Sequence, residues 1–252
     1  MTQPSHRGAT PGRQRRASAL TAALLGAAAL LAGCGPLQRL TLRDKDSNDA
    51  AVLLSLRPAA WARSGAAGPG RGFEAGYQQY RASGDQVLAA GEWLSAGPQL
   101  ITGPDVLLQK AKVAAWHVGF TDRFYFGPAF ELDVGVGGMK LDVDYELRPQ
   151  SGVTGTQPFG RSNTLPYGAI TPRWRFGAKV ALEARLAAAA NARAAHDRQD
   201  VALVLSPLPQ LALRLGWSWR RTSVESWSDP VFDNVDLDIR ARGPAVSLRL
   251  EF

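Results

Sequence analysis

The last seven residues, Val246-Ser247-Leu248-Arg249-Leu250-Glu251-Phe252, alternate apolar and polar side chains without a break. A strand points successive side chains to opposite faces, so this segment carries one apolar face and one polar face. The same period of two recurs from about residue 71 onward. Phe73, Ala75 and Tyr77 oppose Glu74, Gly76 and Gln78 in a strand over 71–82. A strand over 108–120 sets Trp116, Val118 and Phe120 against His117 and Gly119, and Thr121-Asp122-Arg123 reads as a tight turn.

Between Phe124 and Leu147 the phase changes. Phe130, Leu132, Val134 and Val136 share a face opposite Glu131 and Asp133; after Gly137-Gly138 the apolar residues are Met139, Leu141, Val143 and Tyr145, opposite Lys140, Asp142, Asp144 and Glu146. A shift from even to odd positions implies a hairpin turn or a β-bulge at the glycines. Loop lengths favour the bulge, because one bulged strand keeps long and short connections alternating. Further strands follow at 167–176, 179–189, 200–206, 210–221 and 237–252, with tight turns at Gly177-Ala178 and Ser206–Pro209 and a loop over Ala190–Gln199. The pattern predicts an all-β, up-and-down antiparallel barrel of eight strands over 71–252, with ten as the alternative. A short hairpin near Val87–Leu94 and one extra strand at Ala51–Leu56, within a tether over 34–70, are further readings. Segments 82–107, 148–166 and 222–236 read as long loops on one side. An even strand count returns the last strand to the side on which the first begins.

The other end of the chain has a different character. Arg7, Arg13, Arg15 and Arg16 precede an apolar run from Ala17 to Ala32 that ends Leu31-Ala32-Gly33-Cys34. A basic region, a short apolar core and small residues at the cut describe a cleaved secretory signal over residues 1–33. Leu-Ala-Gly-Cys resembles the bacterial lipobox, which implies lipidation of Cys34, the one cysteine of the chain. Gly35 stands where an Asp retains such lipoproteins at the inner membrane. Without the leader's four arginines, 25 of the 29 basic residues remain against 22 acidic ones. The net charge falls from +7 to +3, which argues against a nucleic-acid partner. No later run is long and apolar enough for a spanning helix, so membrane entry would require strands.

The charged residues then speak to the interior. Arginine facing lipid costs roughly 2–4 kcal/mol at mid-bilayer, so the polar face is expected inward. The interior of an eight-strand barrel is just wide enough for side chains to fill it. We therefore expect an ion-paired network of Glu131, Asp133, Lys140, Asp142, Asp144, Arg173, Arg175, Glu183, Arg185, Arg214, Arg249 and Glu251 plugging the lumen, with Glu74, His117, Glu146 and Arg220 also inward. Alternate carboxylates at Asp142, Asp144 and Glu146 have calcium-site chemistry, but pairing with neighbouring arginines is the preferred reading, and no metal or cofactor is expected. His117 reads as a hydrogen-bonded filler and His196 as part of a solvated loop. Aromatic residues near strand ends (Trp116, Phe120, Trp174, Trp217, Trp219) read as interfacial girdles.

The pattern resembles the small outer-membrane β-barrel group that includes the OmpA membrane domain, OmpX and the opacity-type proteins, over residues 71–252. The resemblance implies that Phe252 belongs to the signal read by the barrel-assembly machinery. It also implies residence in a Gram-negative outer membrane, with membrane lipid and the lipoprotein-sorting machinery as partners. Members of that group act as anchors, adhesins or immune-evasion proteins, and a few modify lipid A. His117 is followed by Val118-Gly119, so the His-x-Ser motif of lipid A deacylation is not matched there. The preferred expectation is a non-enzymatic barrel meeting envelope or extracellular partners through loops 82–107, 148–166 and 222–236. A lipid-modifying barrel enzyme and a lipid-anchored periplasmic lipocalin-like binder are the alternatives.

Overall fold

A computed structural model describes residues 39–44, 47, 49–56, 70–96, 99–152, 157–208, 210–229 and 232–251. The leader, Cys34 and Phe252 lie outside the described residues. Regular structure among the described residues is all strand: β1 (Arg39–Asp44), β2 (Asp49–Leu56), β3 (Gly70–Leu88), β4 (Trp93–Ala96), β5 (Gln99–Thr102), β6 (Asp105–Phe126), β7 (Phe130–Pro149), β8 (Gln157–Arg175), β9 (Val180–Ala190), β10 (Ala194–Leu208), β11 (Leu211–Asp229) and β12 (Phe232–Glu251). Among the described residues no helix is long and apolar enough to cross a membrane, which says nothing about crossing by strands.

Ten strands form one sheet in the order β1-β12-β11-β10-β9-β8-β7-β6-β3-β2, and β12 pairs with β2 as well. The chain meanders, so neighbours from β2 through β3 and β6 to β12 are antiparallel. The exception is β12, which is parallel to both N-terminal strands: Arg39–Asp44 run beside Asp236–Ala241, and Asp49–Ser55 beside Ala245–Glu251. Side chains far apart in sheet order meet, as Arg123 of β6 meets Glu251 of β12 at 3.2 Å and Tyr80 of β3 meets Thr222 of β11 at 2.7 Å. The sheet thus curls and has an inner and an outer face.

The strands β3 and β6 to β12 correspond to the eight expected from the alternation, and β2 to the extra strand. Four expectations need correction. The turn after β6 lies at Gly127–Ala129, with Gly127 at φ 77°, and Thr121 and Arg123 belong to the inner face of the strand. There is no bulge at Gly137-Gly138: the registers Gly137↔Gly119 and Gly138↔Val118 continue unbroken on both sides. The backbones come so close there that a Cβ on Gly137 would overlap the Val118 carbonyl oxygen. Much of 82–107, 148–166 and 222–236 is strand rather than loop, because β3, β6, β7, β8, β11 and β12 continue well past the expected ends. Finally, the sheet counts nine or ten strands and is not antiparallel throughout, because β1 and β2 both run parallel to β12. Arg39 and Glu251 therefore lie at opposite ends of the sheet, not at the same end as an even, all-antiparallel count requires.

The end carrying the turns after β6, β8 and β10 is called lower here, and the opposite end upper. In the upper half the inner face is an apolar core of Leu42, Leu88, Leu107, Leu141, Leu147 and Ile239, each almost fully buried. The hairpin β4–β5 adds Leu94 and Ile101 to this core, closing it from above. Tyr145, whose hydroxyl donates to Gln109 Oε1 at 2.8 Å, brings a polar group into this core, and burial pushes that phenol's pKa up.

Candidate functional site

The lower half reverses this arrangement. Its inner face is charged because every strand contributes the polar partner of its period-two pattern: Glu131 and Asp133 on β7, Arg173 on β8, Glu183 and Arg185 on β9, Arg214 on β11, Arg249 and Glu251 on β12. Glu183 is the hub. Fully buried, it accepts from Arg173 Nη2 at 2.9 Å and Arg249 Nη1 at 2.8 Å, with Arg214 Nη2 also at 2.8 Å. Below it, Arg123 donates through Nε to Asp133 at 2.6 Å and through Nη2 to Glu251 at 3.2 Å, while Arg175 Nε lies 2.7 Å from Glu131.

Above the hub, Arg198 donates to Asp200 at 2.7 Å and pairs with Asp49 at 3.1 Å, and Arg220 lies 3.7 Å from the same Asp49. Arg185 donates to Glu74 and to the Tyr167 hydroxyl, both at 2.5 Å. His117 contacts the same carboxylate at 3.1 Å and stacks on Tyr167. The His117 ring occupies the space where Gly76 has no side chain; any Cβ there would collide with it. A neutral seam tops the charged layer: His196 bonds Gln78 at 2.7 Å and Thr222 at 2.8 Å. Isolated buried charges are costly, and mutual pairing with added hydrogen bonds is what makes such a layer tolerable.

Among the residues expected in the network, Glu131, Asp133, Arg173, Arg175, Glu183, Arg185, Arg214, Arg249 and Glu251 line this face and are connected by ion pairs. Lys140, Asp142 and Asp144 do not join them, and neither does Glu146. They lie on the outer face, where Lys140 and Asp142 pair with each other at 3.5 Å, 59 % and 33 % exposed. The reason is the unbroken register of β7: with no bulge, odd positions stay inward throughout. Among the described residues no group of three or more side chains is arranged to hold a metal ion. Arg123, Asp49, Arg198 and Asp200 are members that the period-two reading omitted. The sequence pattern places Arg123 in the 121–123 turn and Arg198 in the 190–199 loop. The alternation Arg198-x-Asp200-x-Ala202-x-Val204 against Gln199-x-Val201-x-Leu203 carries the missing signal.

The outer face of the lower half is an apolar belt. Trp116, Val118, Phe120, Phe126, Val136, Ile170, Trp174, Leu182, Leu186, Val201, Leu203, Leu215, Trp217, Val246 and Leu248 are all more than a third exposed. The belt's charged interruption is Asp122, paired with Arg71 at 3.6 Å near the lower rim. On the inner face, the space between His117, Tyr167, Arg185 and Arg198 is a void of about 30 Å³, on the order of one water molecule. A wider recess of about 360 Å³ opens at the lower mouth beside Arg175, Lys179 and Leu208. Such an interior is suited to filling space and fixing the strands, and poorly suited to passing solute. No protein-family model, curated protein or solved structure matches this chain.

Proposed function

We propose that the chain is a membrane-spanning β-barrel of a Gram-negative outer membrane, anchored also by lipid at Cys34. In this reading it is non-enzymatic, its ion-paired lumen is plugged, and its upper half projects from the membrane as a structural or interaction surface. The observation that carries the reading is the change of sides along the strands. Below the level of Trp116 and Gly138 apolar side chains face out and charges face in; above it the order is reversed. A protein immersed wholly in water has no use for a continuous apolar girdle of this extent, since exposed patches beyond a few hundred Å² mark interaction or membrane surfaces.

The dimensions agree. From Phe126 up to Trp116 the outward face of β6 runs ten residues, about 25 Å of height at a typical strand tilt, which matches the apolar band of outer-membrane barrels. The turns after β6, β8 and β10 at the lower end are short, whereas the belt segments of successive strands from β6 to β12 are joined by long extensions at the upper end, as periplasmic turns and external extensions are. The partners implied are membrane lipid, the assembly and sorting machineries, and whatever meets the upper half.

The test is extraction and electrophoresis. A spanning barrel stays in the membrane fraction through an alkaline wash, and migrates faster unheated than boiled. Cys34→Ala is expected to leave both properties intact, because the belt rather than the lipid holds the protein. Release of that variant into water would overturn the proposal.

A further inference from the structure

Going up the outer face from the belt, the first charged residue is a cation on five strands: Arg81 on β3, Lys112 on β6, Lys140 on β7, Arg221 on β11 and Arg242 on β12, all exposed. They are densest where β11, β12 and β1 adjoin. Arg221, Arg240 and Arg43 are successive cross-strand neighbours, and Trp219 at the belt's edge neighbours Arg242. Like charges directly opposite one another destabilise a sheet. The offset within the chain is partial. Asp238 accepts from Arg221 Nε at 3.1 Å and from Arg240 Nη2 at 2.7 Å, holding two guanidinium groups that remain 51 % and 47 % exposed. Burial works to raise the pKa of Asp238, and the bonds from Arg240 and Arg221 outweigh it, so the carboxyl stays below its ordinary range and ionised. A groove of about 500 Å³ runs between Arg43, Trp219, Arg221, Arg240 and Arg242, with Asp44 and Asp197 also on its wall.

We propose that this groove binds the phosphate of an anionic membrane-lipid headgroup. The inference rests on the reading of the belt as membrane-embedded. Lipid phosphates lie at the height where the apolar face ends, and there the groove offers guanidinium forks, which grip phosphate with paired hydrogen bonds. Trp219 supplies the flat amphipathic ring that such a boundary favours. The acyl chains continue down the apolar face beside Trp217 and Leu215. A free phosphate would make no use of that continuity.

The full-length protein in neutral detergent is titrated with phosphatidic acid or phosphatidylcholine, and bound lipid is counted by native mass spectrometry. The wild type is expected to prefer phosphatidic acid. Each arginine near an anionic headgroup contributes about fivefold, so the double variant R221Q/R242Q is expected to lose about thirtyfold. The variant K112Q/K140Q removes equal charge from the ring away from the groove and is expected to lose far less. Equal losses in the two variants would show diffuse attraction and overturn the site, as would equal binding of the two lipids. Displacement of the lipid by inorganic phosphate would assign the groove to a soluble anion and overturn it too. The unheated gel shift is read on the same samples: its failure in the wild type sinks the membrane-spanning reading instead. The exchange R221K/R242K keeps the charge and removes the forks, and should recover only part of the binding.

Discussion

The lower and upper halves are built from the same strands in the same register, yet they put opposite chemistry on each face. In β7, Glu131 and Asp133 point inward beneath Val134 and Val136; a few residues on, Leu141, Val143 and Tyr145 point inward beneath Lys140, Asp142 and Asp144. No backbone adjustment separates the two stretches. The upper half is organised like any water-soluble domain, its stability drawn from apolar burial of roughly 25 cal/mol per Å². The lower half has its greasy surface outside and is held inside by charges that must satisfy one another. A sheet can therefore exchange the chemistry of its two faces by changing composition alone, with geometry held constant.

The sharpest way to break that contrast is to remove the hub of the lower half. Glu183→Gln leaves Arg173, Arg214 and Arg249 around a buried neutral amide, and loss of one partner of a buried charge cluster costs about 3–5 kcal/mol. The urea midpoint of the heat-sensitive migration should fall accordingly; an unchanged midpoint would mean that the charged layer is filler and not support. Next comes a matched pair on the outer face. Leu182→Arg in the belt should cost about 2–4 kcal/mol in lipid, whereas Val87→Arg, at a position 67 % exposed in the upper half, should stay within about 0.5 kcal/mol of wild type. Equal costs, measured by the same unfolding curve, would erase the distinction between the two exteriors. The smallest effect is expected for Lys140→Ala. Its exposed pair with Asp142 is worth about 0.2–1 kcal/mol at most, and a loss of several kcal/mol would place that lysine inside after all.

Much of this architecture is legible in the alternation of side chains. The strands β3 and β6 to β12 each alternate cleanly within their lower halves, so a period of two finds them and assigns the arginines there to one face. What alternation cannot report is the medium on either side. It says that Met139, Leu141, Val143 and Tyr145 belong together, but facing water across the wall puts them inside, and facing lipid would put them outside. Assuming one environment along the whole chain turns the exchange of inner and outer chemistry at Gly137-Gly138 into a bulge. The same assumption turned upper strand segments, whose apolar sides face inward, into loops. Arg123 and Arg198 escaped for a related reason, being charged residues near expected turns, where solvation is the ordinary explanation. The hub role of Glu183 is not written in its neighbourhood at all; it arises because β8, β11 and β12 bring their arginines to one point across the curled sheet.

The parallel placement of β1 and β2 against β12 bears on the leaflet that a lipid anchor at Cys34, as proposed, would enter. Arg39 lies beside Asp236 at the upper end, and β2 ends toward the lower rim, with Leu56 beside Phe73. Cys34 precedes Arg39 by five residues, which span at most about 18 Å. On the proposed lipidation and orientation, acyl chains carried on Cys34 would therefore enter on the side from which the upper half rises, across the bilayer from Glu251. In that reading the strands and the tether would grip one membrane from the same face, and sorting would require the amino-terminal end to cross the bilayer with the upper half.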